Sequence, residues 1–110
     1  MNVEDVEKTK EYKKIKRSLM KQIKNMGCDT PHFISLAEDY MHMYAVKEIA
    51  IQDVKDRGNI IHYIGSNGGK MTKKNDSTEQ IIKMNTQMIK ILDLLGIKPG
   101  NGVVADEEEL

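Results

Sequence analysis

Apolar residues recur at helical spacing over three stretches of the chain, and the gaps between them carry the punctuation of helix ends and one hairpin. From about Glu4 to Met26, residues Tyr12, Ile15, Leu19, Ile23 and Met26 fall at steps of 3, 4, 4 and 3, which is one stripe of an amphipathic helix. Lys13, Lys14, Lys16, Arg17, Lys21 and Lys24 fill the rest of its circumference, and Gly27 supplies the stop. A second helix is predicted from Thr30, as N-cap, and Pro31, whose missing N–H costs nothing in the first turn. Its stripe runs through Phe33, Leu36, Tyr40, Met43, Lys47, Ala50 and Val54 to a stop at Gly58, a rod of roughly 40 Å at the α-helical rise.

The rhythm then changes. Ile60, Ile61, Tyr63 and Ile64 read as a strand, Ser66, Asn67, Gly68 and Gly69 as a turn, and Met71, Thr72, Lys73 and Lys74 as the return, giving one β-hairpin at about 59–74. A third helix follows, with capping boxes offered by Ser77 with Gln80 and by Asp76 with Glu79. Its stripe is Ile81, Met84, Met88, Leu92 and Leu95, closed by Gly96 with Pro99 beyond. Residues 100–110, GNGVVADEEEL, lack periodicity and read as a mobile acidic tail. The fold class predicted is mainly α: three long helices in one domain, with a hairpin between the second and third.

Composition adds a reason to expect partners. The 110 residues include one Phe and no Trp, and 39% are hydrophobic, so the core is built of Ile, Leu and Met and is thin for its length. A helical rod longer than such a core, and a two-stranded hairpin that is marginal alone in water, both favour a homo-oligomer. Ile60, Ile61, Tyr63 and Ile64 are therefore the expected subunit interface.

Seventeen basic residues balance seventeen acidic ones, but the charges are segregated. Residues 1–26 carry eight Lys or Arg against four Asp or Glu, residues 70–90 carry five against two, and the last ten carry four acids and no base. Such segregation suggests a basic surface and an acidic tail with different partners. The basic first helix is the best chemical signal, because each phosphate contacted by a cation releases a counterion. Lys13, Lys14, Lys16, Arg17, Lys21 and Lys24 are the candidate DNA-binding residues, with Lys73 and Lys74 second, and an ordinary solvated helix surface is the equal alternative at this point.

Signs of catalysis are weak. Cys28 and His32 form the only spaced metal-ligand pair, with His42 and His62 elsewhere and no second Cys, so no metal site or cofactor is expected. Cys28, His32 and Ser35 lack an orienting group that would make a nucleophile. Gly65 to Lys70 departs from the phosphate-loop pattern, with Met71 where the hydroxyl belongs. The expectation is a non-enzymatic protein. A single cysteine, no apolar run of about 20 residues and no secretory leader point to a cytoplasmic protein without a membrane partner.

The order of parts resembles the small subunit of tailed-phage terminases. The similar residues are Tyr12 to Ile15 at the first helix, the joint of Gly27, Asp29, Thr30, Pro31 and His32, then Leu36 to Tyr40, the Arg57–Gly58 end and the glycine-rich hairpin. The likeness continues through Lys74, Asn75 and Ser77, then Asn85, Met88, Lys90, Ile91 and Leu92, and ends with Leu95 to Pro99 before acidic residues. It departs at Asn75–Asp76, where members of that family often have Asn–Pro.

The resemblance implies a non-catalytic, ring-forming protein of about eight to ten copies in the cytoplasm of the bacterial host. It would bind double-stranded viral DNA at the packaging site and present it to the large subunit, which carries the ATPase and nuclease. Asp106, Glu107, Glu108 and Glu109 are then the candidate contact with the large subunit. Two other readings stay open: a small helix-turn-helix transcription regulator, and a protein–protein adaptor whose lysines are only solvated.

Overall fold

The computed structural model describes residues 1–98, so the acidic residues Asp106 to Glu109 lie outside the described part. The chain is mainly helical: α1 (Val3–Glu7), α2 (Lys10–Asn25), α3 (Pro31–Arg57), strands β1 (Ile60–Ile64) and β2 (Lys70–Lys74), and α4 (Asp76–Leu95). β1 and β2 form one antiparallel hairpin, with Ile60 opposite Lys74 and Ile64 opposite Lys70.

The expected first helix is broken in two. Asn2 and Asp5 make a reciprocal capping box around α1, each side chain accepting the other's backbone N–H at 2.9 Å. Thr9 then ends that turn and starts the next: its hydroxyl donates to the Val6 carbonyl at 2.7 Å and accepts the Tyr12 N–H at 3.1 Å. A threonine that can bond backbone groups on both sides favours a cap over a helix interior. α2 closes at Gly27, where φ is 75° and the Cys28 N–H reaches back to the Ile23 carbonyl at 2.9 Å.

α3 is packed on two sides. Tyr44 meets Tyr12 of α2 with ring centroids 6.1 Å apart, while Lys47 donates to Asn85 of α4 at 3.3 Å. The stripe predicted from Phe33 to Val54 contains Lys47 and so faces α4, and most of its residues are half-buried. The most deeply buried line is another, Ala37, Met41 and Ala45, which shares a core with Val6, Tyr12, Leu19 and Ile23. Alanines let the α1 and α2 backbones come close to α3. α4 returns antiparallel to α3 and adds Met88, Ile91 and Leu95 to the buried set.

The core thus sits beside the first half of α3, while its second half and the start of α4 form a stem carrying the hairpin. The resulting body is 60 × 25 × 24 Å, with a radius of gyration of 17.8 Å where a compact chain of this length would have about 13 Å.

The root of the hairpin is a dense cluster of hydrogen bonds. Asn75 is fully buried: its side chain donates to the Gly58 carbonyl at 2.9 Å and accepts the Ser77 N–H at 2.9 Å, and its backbone N–H bonds the Asn59 carbonyl at 2.8 Å. Asn75 is therefore the α4 N-cap, and neither Ser77 with Gln80 nor Asp76 with Glu79 makes a capping box. Beside it, Arg57 grips Asp53 through two bonds of 2.7 and 2.8 Å, and the Ser77 hydroxyl donates to the same carboxylate at 2.7 Å. Thr30, at the N-cap of α3, makes no side-chain capping bond.

The Arg57 guanidinium, with Ser77 and Asn75 also donating, holds the Asp53 carboxyl well below the usual carboxylate range. Its ordinary value is about 3.9, so the stabilisation is complete above that pH and is lost as pH falls below it. The difference in melting temperature between wild type and Asp53→Asn should accordingly be largest near neutrality and shrink as the pH drops toward about 3. A difference that stays constant across that range would contradict this reading.

Candidate nucleic-acid interface

Every residue of the predicted basic set on α2 is exposed: Lys13, Lys14, Lys16, Arg17, Lys21 and Lys24. Tyr12, Leu19 and Ile23 bind α2 to the core by one face, which turns the remaining circumference to solvent. Lys10, Lys14, Arg17, Lys21 and Lys24 follow one another at steps of 4, 3, 4 and 3, a continuous line of cations about 21 Å long. Lys13 flanks that line one turn before Arg17. Lys16 stands apart from it, one turn from both Tyr12 and Leu19 on the edge of the buried face.

No member of this line forms an ion pair with a described residue. The two ion pairs among the described residues are Arg57 with Asp53 and Lys98 with Asp93, and neither touches α2. From Tyr12 to Cys28 the chain contains no Asp or Glu. Like charges one turn apart on a helix repel by a few tenths of a kcal/mol per pair, a cost that a bound polyanion would remove.

Lys10 belongs to this line although the sequence pattern did not select it. It precedes Glu11, and the expected helix ran unbroken through it from Glu4, so the register did not single it out. α2 begins at Lys10, after the Thr9 cap, and Lys10 stands one turn before Lys14.

The hairpin is a second basic element, and α2 is not in contact with it. Tyr44 marks the level of Tyr12 on α3, and the rise from there to Gly58 is about 20 Å. Residues 58–75 carry three lysines and one histidine and no acid. Lys70, Lys73 and Lys74 are exposed, and the Lys73 ammonium lies over the Tyr63 ring, 5.7 Å from its centroid.

The pairing register divides the predicted interface residues between two faces. Side chains alternate across a strand, so Ile61 and Tyr63 share one face with Met71 and Lys73, while Ile60 and Ile64 share the other with His62, Lys70, Thr72 and Lys74. Ile60, Ile61, Tyr63 and Ile64 therefore do not form one surface. Ile61 is half-buried, whereas Ile64 is 65% exposed.

The residues weighed for chemistry lie apart. The Cys28 thiol approaches the Met26 carbonyl at 3.8 Å, and His32 packs on Phe33 with centroids 4.8 Å apart. Among the described residues no three His, Cys, Asp or Glu side chains converge on one point, and no helix is long and apolar enough to cross a membrane. An open groove of about 480 Å³ runs between α2 and the end of α4, lined by Ile15, Leu19, Tyr40, Leu92 and Ile97 together with Glu11 and Lys14.

Comparison with family models, with curated proteins and with solved structures finds no match to this chain.

Proposed function

We propose that the chain is a non-enzymatic, double-stranded-DNA-binding protein that acts as the small subunit of a phage DNA-packaging terminase in the cytoplasm of the bacterial host. The observation that carries the DNA-binding part is the exposed line Lys10, Lys14, Arg17, Lys21 and Lys24 on the outer face of α2, which no described acid pairs. Such a line gives sequence-independent, salt-dependent affinity for phosphates. The terminase part rests on the sequence resemblance alone: DNA is held at the packaging site and presented to the large subunit, which Asp106 to Glu109 contact.

Assembly into a ring of about eight to ten copies belongs to the same reading. It is supported by apolar side chains that one chain leaves bare: Tyr63 is 42%, Met71 43%, Ile82 62%, Ile89 57% and Leu94 66% exposed. Single exposed apolar residues are ordinary, but these lie on the projecting hairpin and on the outside of α4, away from the core. Within the hairpin, the face of Ile61, Tyr63 and Met71 is assigned to the neighbouring copy.

Native mass spectrometry of the whole chain at near-physiological salt tests the assembly. A closed oligomer is expected for wild type, and I61S/Y63S should dissociate it. A wild-type monomer or dimer would remove the ring and leave a small DNA-binding regulator as the better reading. An adaptor with merely solvated lysines would show no steep salt dependence in a DNA titration.

A further inference from the structure

The two faces of the hairpin differ in what they present. One holds Ile61, Tyr63 and Met71, with its single lysine, Lys73, drawn over the Tyr63 ring. The other sets Lys74 opposite Ile60, Thr72 opposite His62 and Lys70 opposite Ile64, so that two lysines, a hydroxyl and an imidazole share one surface. None of these side chains has an anionic partner among the described residues, and none can find one within the hairpin, which lacks acids from Gly58 to Asn75.

Shape agrees with charge. Each strand is five residues long, giving a ribbon about 17 Å in length whose backbones run about 5 Å apart. The tip, Gly65 to Gly69, is made of glycine, serine and asparagine, so no bulky side chain widens the leading end. The B-DNA major groove is about 12 Å wide and admits a two-stranded ribbon of these proportions. The ribbon projects from a stem whose root is fixed by Asn75 and Gly58, so insertion would not disturb the core.

We infer that the hairpin enters the major groove of duplex DNA with the face of His62, Lys70, Thr72 and Lys74 turned inward. This rests on the DNA-binding reading above and extends it: α2 tracks phosphates without regard to sequence, and the ribbon supplies contacts at the base edges. Lys70 and Lys74 reach the phosphates at the groove lip, Thr72 and His62 bond to base edges, and Ile64 meets thymine methyls. The opposite face, with Ile61 and Tyr63, remains free for a neighbouring copy.

The test is an anisotropy titration of the whole chain against a mixed-sequence duplex over a range of salt. It compares wild type with K70A/K74A, with K73A and with K14A/R17A/K21A. K70A/K74A is expected to bind about 30-fold more weakly at ~0.15 M salt and to lose about 2 from the log–log salt slope for each engaged copy. K73A should stay within about threefold of wild type, since its ammonium lies on the other face. Methylating guanine N7, which obstructs the major groove, should weaken wild-type binding.

Wild-type affinity in K70A/K74A, with binding still lost in K14A/R17A/K21A, would leave α2 as the DNA surface and overturn the ribbon. Equal losses in K73A and K70A/K74A would show a charge effect indifferent to face, and would also overturn it. Failure of wild type to bind the duplex at any salt would remove the underlying DNA reading as well. All three lysines are exposed, so the variants are expected to keep the wild-type circular dichroism spectrum.

Discussion

In a DNA titration at ~0.15 M salt, the K14A/R17A/K21A variant is expected to bind duplex DNA about 150-fold more weakly than wild type. The figure follows from counterion release, which makes each phosphate contact worth about 5.5-fold at that salt, so that three contacts multiply to about two orders of magnitude. The three residues are consecutive members of the α2 line, all exposed, none bonded to another described residue. Alanine is at least as good a helix former as lysine or arginine, and the substitutions also remove like-charge pairs one turn apart. The melting temperature should therefore hold or rise while affinity falls. The K14R/R17K/K21R variant, which keeps the charge, should bind close to wild type and so separates loss of charge from loss of fold. Unchanged affinity in a folded K14A/R17A/K21A protein would remove α2 as the binding surface.

The second large effect is on stability, at the hairpin root. Asn75→Ala removes an N-cap bond worth about 1 kcal/mol and leaves the half-buried Gly58 carbonyl without its donor, a further cost of about 1 kcal/mol. A domain of this size gains only about 5–15 kcal/mol from folding, and each kcal/mol shifts its melting temperature by about 4–8 °C. A fall of about 10 °C or more is therefore expected in a thermal scan. A shift within a degree or two would mean that water replaces both bonds and that Asn75 does not fix the arm.

The helices were legible because their apolar residues repeat with the right period and their ends carry strong signals. Pro31, Gly27, Gly58 and Gly96 all mark ends in the structure, and the three glycines take φ of 75°, 81° and 78°. The hairpin was equally plain, since β-branched and aromatic residues flank a glycine-rich turn. What the sequence hid was mostly a matter of small or doubly used side chains. Ala37 and Ala45 carry the deepest packing of α3, yet alanine contributes little to an apolar stripe. Thr9 splits the first helix through one hydroxyl bonded in two directions, and Asn75 displaces two plausible capping boxes because its amide also reaches Gly58. Within the candidate site, the cations of α2 and their helical spacing were visible, but Lys10 was passed over because it stands before Glu11, ahead of the densest run of lysines. The division of Ile60, Ile61, Tyr63 and Ile64 between two faces depended on a pairing register that only the fold fixes.

Asn59 and Asn75 are joined by a backbone hydrogen bond of 2.8 Å, so the chain leaves the helix pair and returns to it at almost the same point. Residues 60–74 are therefore an interchangeable part. Two residues added to each strand would lengthen the arm by about 7 Å and would leave every helix where it is. Reach and body can be tuned separately, as with a tool bit held in a fixed chuck.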